Sequence, residues 1–584
     1  MLLKSLRRRA GTALAVSTAL ALLLAGTAAA ATIEVNSSAD PADGTNCTLR
    51  QAIKNADDNA QTNASCDAGT GDDTITFDSP MVGDTIALSS QLLISPTTTG
   101  TLTIQGPGAD ALEVSGGGAS RVFHIAFAAA PTAKAVTIHG LTISNGAVAN
   151  DNGGGILNEG SLTLDRDSVV DNTVTVTSSG GTTNQATALG GGIESSPALL
   201  TVRFSEIAGN TVSAAADSGS TSNTATALGA GIHAAGGGGG ILVIQGSSIH
   251  DNTAGAITTG TGEQANAEGG GVWSSAGAQT SITESTIADN TLSASGTSSQ
   301  ETGGGVETNI TALGASNASL FDDTVTGNDA ATSGANLADV AGGSGLQIRN
   351  TIVAGASGAS NCSGVTSLGH NLTEDATCGS ATGDIPNTPP QLKPLDFYGG
   401  PTETRPPDTG SPAIDKGVGG VSDFDQRGLN RTWQFDTPDG PSGDGTDIGS
   451  VEVQGPVITG INPLSPNSDP SPRVSGTVEP GSTVELHGDG ACADSPLGTG
   501  TAGAFASPGI APTTPLAAGS TTIFRAASVY GSARSICDAT SVAYTVPSLP
   551  PAPSVTPAKK KCKKAKGKKR AVSAKKKKCK KRKK

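Results

Sequence analysis

The sequence predicts an all-β protein built mainly as a parallel β-helix. A repeated unit recurs in the middle of the chain, and short apolar/polar alternations without a helical period fill each unit. Only 3% of the 584 residues are aromatic and 15% are charged, whereas 80 are glycine. This composition argues against a compact aromatic core and against a Lys/Glu-rich helical protein.

The repeated units open with glycine clusters and close with asparagines. A β-branched residue follows each cluster: Ile156, Ile193, Ile232, Val272 and Val306. The closing residues are 38, 42, 38 and 38 positions apart: Asn172, Asn210, Asn252, Asn290 and Asn328. The third and eighth positions before each Asn are always apolar. Stacked units of this kind can share a core, and their Asn side chains are expected to form a hydrogen-bonded ladder at a left-handed corner.

Polar segments separate each closing Asn from the next glycine cluster. Thr173–Leu189 and Thr211–Leu228 are rich in Thr, Ser and Ala and end in the same phrase, Ala-Thr-Ala-Leu-Gly. We expect these segments to project from one edge as flexible loops or loose hairpins. Further strands are predicted at Asp73–Phe77, Thr85–Leu88, Leu102–Ile104, Arg121–Ile125 and Val136–Ile143, and a last coil at Leu346–Val353.

Charge is distributed very unevenly along the chain. Four basic residues in 1–31 and 18 in Lys559–Lys584, with no acid in either segment, leave 15 basic residues against all 51 acids in 32–558, a net charge of −36. Residues 1–31 have the basic and apolar regions of a secretory signal peptide. The tail is predicted to be disordered because its like charges repel one another.

The eight cysteines form sequence-adjacent couples. Local disulfides are predicted for Cys47–Cys66, Cys362–Cys378 and Cys492–Cys537, with Cys562 and Cys579 as a further couple in the tail. CxxC spacing is absent and the six His are scattered, which argues against a zinc site. Disulfides also fit an extracellular protein.

Two sets of motifs carry a family resemblance. Cys47–Ile53 reads as a short helix in which Thr48 and Gln51 have capping-box spacing, and this phrase resembles the CSLREAI motif of exported bacterial β-helix proteins. Gly399–Thr402, Gly410–Asp415, Asp425–Gly428 and Asp447–Gly449 resemble, in this order, the choice-of-anchor Q domain. The resemblance implies a right-handed β-helix on a bacterial surface. The LPxTG-like sorting phrase found in such proteins is absent here.

The remaining chain supplies the predicted domain order. From 457 the pattern changes to alternating strands with Pro/Gly turns and resembles a bacterial Ig-like β-sandwich, in which Cys492–Cys537 would be a disulfide. The predicted units are: 1–31 signal peptide; 32–135 N-terminal cap and first irregular coils; 136–356 β-helix repeats; 357–456 choice-of-anchor Q-like cap; 457–548 Ig-like domain; 549–584 Pro-rich linker and Lys-rich tail.

The residue after each apolar opener is predicted to point outward, so that Leu157, Glu194, His233, Trp273 and Glu307 form one column. Glu194 and His233 would then be a candidate acid/base couple, and Trp273 a candidate glycan contact. Arg203 is the candidate base of a lyase. The alternative is an exposed ladder of soluble residues without a catalytic role.

A second candidate site is a run of acidic residues near the end of the Q-like segment. The oxygens of Asp436, Asp439, Asp444 and Asp447 could bind calcium, although ordinary turn chemistry explains the same residues. No other cofactor is predicted.

Two classes of function remain open from the sequence. The first is a secreted or cell-surface, non-enzymatic protein for display, adhesion or glycan binding, held electrostatically on anionic envelope polymers by its Lys-rich tail. The second is an extracellular polysaccharide lyase or glycoside hydrolase acting in a groove along the coils. Nucleic-acid binding is disfavoured by export and by a tail without aromatics, and no transmembrane segment is predicted after signal cleavage.

Overall fold

The computed structural model shows a solenoid of parallel β-sheets followed by a small antiparallel β-domain. It describes residues 30–548 except 42–43, 96–98, 128–133, 182, 218–221, 237–238, 261–262, 276–277, 310–317, 341–344, 420–421, 432, 436–438 and 440–442. Residues 1–29 of the predicted signal peptide, the Pro-rich linker, the Lys-rich tail, Cys562, Cys579 and Asp436 therefore lie outside the described residues, whereas residues 30 and 31 are described and Ala31 begins the first strand.

Three long sheets, which we call I, II and III, form the main body of the solenoid. Sheet I contains Ala31–Val35, Asp73–Phe77, Thr101–Gln105, Ala135–His139, Ser161–Asp165, Leu199–Arg203, Ile241–Gln245, Gln279–Thr283, Ala318–Phe321, Leu346–Arg349 and Val365–Ser367. Sheet II contains Asp84–Ala87, Leu112–Ser115, Thr142–Ser144, Ser168–Val170, Glu206–Ala208, Ser248–His250, Thr286–Ala288, Thr324–Thr326, Ile352–Ala354 and Leu372–Thr373. Sheet III contains Leu92–Ile94, Phe123–Ile125, Ile156–Asn158, Ile193–Ser195, Ile232–Ala234, Val272–Ser275, Val306–Asn309, Leu337–Asp339 and Cys362–Ser363. All neighbouring strands in these sheets are parallel, so the predicted parallel β-helix is confirmed.

The main core lies between these three sheets. Each coil contributes one opener from sheet III, such as Ile193, two residues from sheet I, such as Leu200 and Val202, and one from sheet II, such as Ile207. Ile193, Val202 and Ile207 lie at positions that the repeat predicts to be apolar, Leu200 is an addition, and all four are fully buried. Each coil alone would expose this apolar stripe, so stacking is what stabilises the fold.

The polar segments between coils form two more parallel sheets instead of flexible loops. Sheet IV contains Ala147–Ala149, Thr173–Ser178, Thr211–Ala216, Thr253–Thr258, Thr291–Ser295, Asp329–Ala330 and Ser357–Gly358. Sheet V contains Asn184–Leu189, Asn223–Leu228, Gln264–Glu268 and Ser298–Thr302. The two sheets enclose a second core made largely of alanine, including Ala186, Ala188, Ala225 and Ala227. We call this two-layer extension, sheets IV and V, the fin. The expectation of loose loops is wrong because Ala and Thr alternate with the period of a strand.

The Asn ladder is present and longer than predicted. The side-chain Nδ2 of each Asn donates to the Oδ1 of the next, and the five predicted residues are followed by Asn336 and Asn361. The ladder Asn themselves are not left-handed. The left-handed residue directly precedes them, as at Asp171 (φ 57°) and Gly209 (φ 65°). A short polar residue or glycine tolerates that conformation, and this leaves the Asn side chain free to enter the ladder.

A helix at Leu49–Asp58 covers the start of the solenoid. Its N-cap is Thr48, and the reciprocal bonds between Thr48 and Gln51 make the predicted capping box. Asp73–Phe77 is a strand with the predicted bounds, whereas Val136–Ile143 is divided between Ala135–His139 and Thr142–Ser144 by a left-handed Gly140. Ser79–Met81 forms a short 3₁₀ turn. Beyond the predicted last coil, sheets I and II each gain one more strand.

The non-repeating segment 399–452 runs back over the outer face of sheet II. Gln426 donates to the Ser247 carbonyl at 3.2 Å and accepts from Thr286 at 2.6 Å. Thr402 donates to the Gly246 carbonyl, and the buried Arg431 donates to the carbonyl of Asp322 at 3.4 Å. Polar contacts to successive coils therefore hold this segment along the solenoid.

The last part of the described chain is antiparallel. Its strands are Val457–Asn462, Arg473–Thr477, Thr483–His487, Gly498–Thr501, Thr521–Tyr530, Ala533–Arg534 and Val542–Thr545, with a short helix at Ala502–Ala506. It has its own core around Phe505, Phe524 and Tyr544. The three predicted disulfides inside the described residues, Cys47–Cys66, Cys362–Cys378 and Cys492–Cys537, are all formed. Within the described residues, no helix has the length and apolarity needed to cross a bilayer.

Candidate functional site

The predicted column on sheet III exists in register. Leu157 pairs with Glu194, Glu194 with His233, His233 with Trp273 and Trp273 with Glu307 in successive coils. Parallel pairing places neighbouring side chains about 4.8 Å apart along the column. The coil-by-coil alignment deduced from the glycine clusters is therefore correct.

Side chains of the column are in direct contact. The Nδ1 of His233 lies 2.6 Å from the Oε2 of Glu194. The two groups are not aligned for a hydrogen bond, so neither atom has a hydrogen-bond partner among the described residues. The His233 ring stacks on Trp273 with centroids 4.6 Å apart and an interplanar angle of 10°. The predicted couple of Glu194 and His233 and the predicted glycan contact Trp273 thus form one continuous group.

Four of the five column residues are buried, which the sequence did not indicate, and Leu157 is half-buried. Glu194 is 4% exposed, His233 3% and Trp273 8%, and Glu307 is fully buried. Two sheet V strands end against the column: the Oε2 of Glu268 accepts from the Trp273 Nε1 at 3.2 Å, and Thr302 contacts Glu307. A long polysaccharide therefore has no open access to these side chains.

The glycine clusters create this closed corner. Gly269 has φ 61° and turns the chain from sheet V into sheet III, so that the outer side chains of both sheets meet. A Cβ on Gly269 would lie 2.7 Å from the Cβ of Trp273. Only glycine combines the left-handed backbone with this close approach.

A carboxyl pair at the end of the column was missed by sequence reasoning. Burial, reinforced by the nearby Glu268 carboxylate, raises the pKa of Glu307 well above its ordinary value. Thr302 donates a hydrogen bond to the Oε2 of Glu307. Glu307 therefore holds its proton more readily than an exposed glutamic acid does. The sequence signal for this carboxyl pair was the position directly before a glycine cluster. A residue at that position contacts, across the corner, the residue that follows the opener.

Arg203 lies apart from the column. It is in sheet I, and its Nη2 is 3.2 Å from the Oδ2 of Asp165 in the preceding coil. Its side chain is 45% exposed, so this is a surface ion pair that contributes little stability. The three candidate catalytic residues are thus divided between a buried couple and a distant surface arginine.

The described members of the acidic calcium candidate are engaged in separate local contacts. Asp439 accepts from Gln434, and Asp444 accepts from the backbone of Gly419 and Thr446. Asp447 accepts from the backbone N–H groups of Asp415 and Val453, and burial raises its pKa well above the ordinary value. A protonated carboxyl is a poor calcium ligand, so Asp447 contributes least to such a site at neutral pH. Calcium binding here stays a prediction.

Comparison of the chain with protein-family models, with curated proteins and with solved structures finds no match. Functional argument therefore rests on the residues and geometry of this chain.

Proposed function

We propose that this chain is an exported, non-enzymatic protein of the cell surface whose β-helix displays or binds glycans or envelope polymers. The observation that carries the proposal is the burial of Glu194 and His233, at 4% and 3% exposure. An acid/base couple that acts on a polymer must reach the polymer. The same burial weighs against the alternative of a lyase or hydrolase acting at this column.

The finer parts of the proposal rest on the sequence motifs. The capped helix at the start of the solenoid and the polar segment along sheet II are the regions that resemble the CSLREAI and choice-of-anchor Q motifs. With them we propose a right-handed helix sense, and an Ig-like role for 457–548 as a spacer or adhesive module. Three disulfides support export, because such bonds persist in oxidising compartments.

The fin is the surface that we assign to binding. Sheet IV carries no charged residue in its four long strands, Thr173–Ser178, Thr211–Ala216, Thr253–Thr258 and Thr291–Ser295. Its outer face aligns the hydroxyls of Thr173, Thr211, Thr253 and Thr291 in register. A neutral hydroxyl-rich polymer can approach this face, whereas the −36 charge of the body repels anionic ligands elsewhere.

Retention by the Lys-rich tail is tested by comparing the full chain with a deletion of 559–584 on isolated bacterial envelopes. Retention of the full chain should fall steeply between about 0.05 and 0.5 M NaCl because surface charge is screened over this range. The deletion should be released even at low salt. A variant with all 18 Lys and Arg of the tail changed to Gln is the matched control for length. Equal retention of the full chain and the deletion at every salt concentration would contradict the role of the tail.

Enzymatic activity is tested by incubating the purified protein with polyuronates and neutral glycans. We expect no new reducing ends and no unsaturated products. A robust product from the full chain that is lost in Glu194→Gln would overturn the non-enzymatic proposal and establish the alternative.

A further inference from the structure

A second group of titratable side chains lies on the outer face of sheet II, outside the buried column. His250 ends the strand Ser248–His250, Glu206 begins the neighbouring strand, and Glu403 comes from the segment that crosses this face. The Nε2 of His250 is 3.1 Å from the Oε1 of Glu206 and 3.5 Å from the Oε2 of Glu403. One ligand atom from each residue lies within 4.8 Å of the other two.

The two distances from the His250 Nε2, 3.1 and 3.5 Å, match the ligand spacing around a small divalent ion. Zinc–nitrogen and zinc–oxygen bonds of about 2.1 Å in a tetrahedral shell place neighbouring ligand atoms about 3.4 Å apart. Three protein ligands would occupy three corners of this shell. The side chains of Glu206 and Glu403 are 26% and 24% exposed, so the fourth corner can be reached from solvent.

Asp251 sets the orientation of the His250 ring through its second nitrogen. The Nδ1 of His250 is 2.8 Å from the Oδ2 of Asp251, and Asp251 as acceptor fixes the proton on Nδ1. Metal-bound histidines commonly donate their other N–H to a carboxylate in this way. In the neutral form of His250 the Nε2 lone pair would face the Glu206 and Glu403 carboxylates, and a cation between them would contact all three side chains.

The charge around His250 favours a divalent cation over a proton. Glu206, Glu403 and Asp251 carry three negative charges, so a singly protonated His250 leaves two of them unbalanced. The guanidinium of Arg405, two residues after Glu403, contacts Asp289 and Thr326 instead. A divalent ion with neutral His250 leaves only one unbalanced charge.

An unused hydroxyl lies on the same face. Ser248 pairs in register with Glu206, and its hydroxyl is fully buried without a hydrogen-bond partner among the described residues. Buried hydroxyls are rarely left without a partner. A metal-bound water or the ion itself would supply the missing partner.

The other His/carboxylate group in the described chain is less suited to a cation. His487 lies with Asp489 and Asp494, but the Nη2 of Arg534 is 3.2 Å from the His487 Nε2. A guanidinium at this distance repels a metal ion. Backbone N–H groups also donate to both carboxylates of this group.

We infer that Glu206, His250 and Glu403 bind a first-row divalent transition-metal ion of the Zn²⁺ class. A mixed nitrogen and carboxylate shell suits such ions, whereas calcium takes oxygen ligands only. The ion joins the segment of Glu403 to two coils of the solenoid and so fastens the polar segment onto sheet II. The sequence argued against zinc because these ligands come from distant segments; Glu206 and His250 alone are 44 positions apart.

The site is tested by titrating the chelator-treated full chain, carrying Cys562→Ser and Cys579→Ser, with Zn²⁺ in a calorimeter at pH 7. We expect one site whose affinity falls at least 100-fold in His250→Gln. Asp251→Asn, which alters only the orienting carboxylate, should weaken binding about 10- to 100-fold. His124→Gln is the matched control, because His124 faces the single carboxylate of Glu159 at 2.9 Å.

Thermal unfolding distinguishes a variant that has lost a metal-binding side chain from a variant that has lost its fold. Zn²⁺ should raise the melting temperature of the wild type and leave that of His250→Gln unchanged, while both proteins show the same circular dichroism without metal. If His250→Gln does not fold, Glu403→Gln serves instead because its side chain is partly exposed. The inference is overturned if the wild type binds no Zn²⁺ below millimolar concentration, if His250→Gln or Glu403→Gln binds as tightly as the wild type, or if only His487→Gln abolishes binding.

Discussion

The Nδ2 of Asn210 donates a hydrogen bond to the Oδ1 of Asn252 at 2.9 Å, and both side chains are fully buried. The same Asn210 accepts from the backbone N–H and the side chain of Asn172 and donates to the Val169 carbonyl. One side chain therefore connects three successive coils. Because each Asn repeats this pattern, the ladder fixes the vertical register of the solenoid.

Asn210→Ala is expected to lower the free energy of unfolding by about 2–4 kcal/mol, because it leaves several buried polar groups without partners. Urea unfolding followed by circular dichroism measures this loss. The control is Asn266→Ala, since Asn266 lies on the half-buried outer face of sheet V. Similar losses in both variants would show that the ladder does not stabilise the coils.

The alanine core of the fin predicts a strict size limit. Ala227 is fully buried and lies in register between Ala188 and Ala267. Ala227→Leu should lower the free energy of unfolding by about 1–3 kcal/mol, because a close-packed core has no space for the larger side chain. Hydrogen exchange should rise first in sheets IV and V. Thr226→Leu places the same side chain on the outer face and should change stability by less than about 0.5 kcal/mol; equal effects would argue against a packed fin.

Asp167 gives a pH dependence with a defined sign. Burial raises its pKa to about 8, against an ordinary value near 4. Between these values the folded protein retains a proton that the unfolded chain has released, so Asp167 makes stability fall as pH rises from about 4 to 8. Asp167→Ser should reduce this pH-dependent loss of stability by at least about 1.4 kcal/mol, the free energy that corresponds to a shift of one pKa unit.

Serine is the appropriate replacement because Ser205 fills the corresponding position in the next coil. Ser205 accepts from the Asp167 N–H at 3.0 Å, as Asp167 accepts from the Leu141 N–H at 2.8 Å. Urea unfolding at pH 5 and pH 8 measures the effect, with the exposed Asp110→Ser as control. An unchanged difference between the two pH values would contradict the assigned pKa.

The sequence predicted those parts of the fold that repeat with strongly apolar residues. Openers such as Ile193 and closing residues such as Asn210 gave the correct coil register, and with it the contact between Glu194 and His233. The fin was missed because Ala186 and Ala188 are only weakly apolar, although their alternation with Thr recurs at Ala225 and Ala227. The burial of the column was missed because it depends on that fin.

The group around His250 illustrates a different limit. Glu206 and His250 come from neighbouring coils, but Glu403 arrives from a segment with no repeat, so no spacing predicts its position. The register of the coils alone brings two of the three side chains together. Sequence periodicity therefore identifies contacts within the solenoid, and the non-repeating segment has to be placed by the structure.

A buried ion network joins the non-repeating segment along sheet II to the antiparallel domain. The Nη1 of Arg427 is 3.2 Å from the Oε2 of Glu479, while its Nη2 is 2.9 Å from Asp425, and all three side chains are at most 2% exposed. Glu479→Ala should lower the free energy of unfolding by about 3–5 kcal/mol, because it removes a buried carboxylate that contacts both Arg427 and Lys393. Differential scanning calorimetry should show the antiparallel domain unfolding earlier.

Two variants make this last prediction specific. Arg427→Lys should be destabilised almost as much as Glu479→Ala, because an ammonium group cannot reproduce the two-sided contacts of the guanidinium. Glu485→Ala removes a partly exposed pair with Arg534, 2.9 Å apart, and should cost less than about 1 kcal/mol. If Glu479→Ala and Glu485→Ala shift the calorimetric transition equally, the buried network does not hold the antiparallel domain against the solenoid.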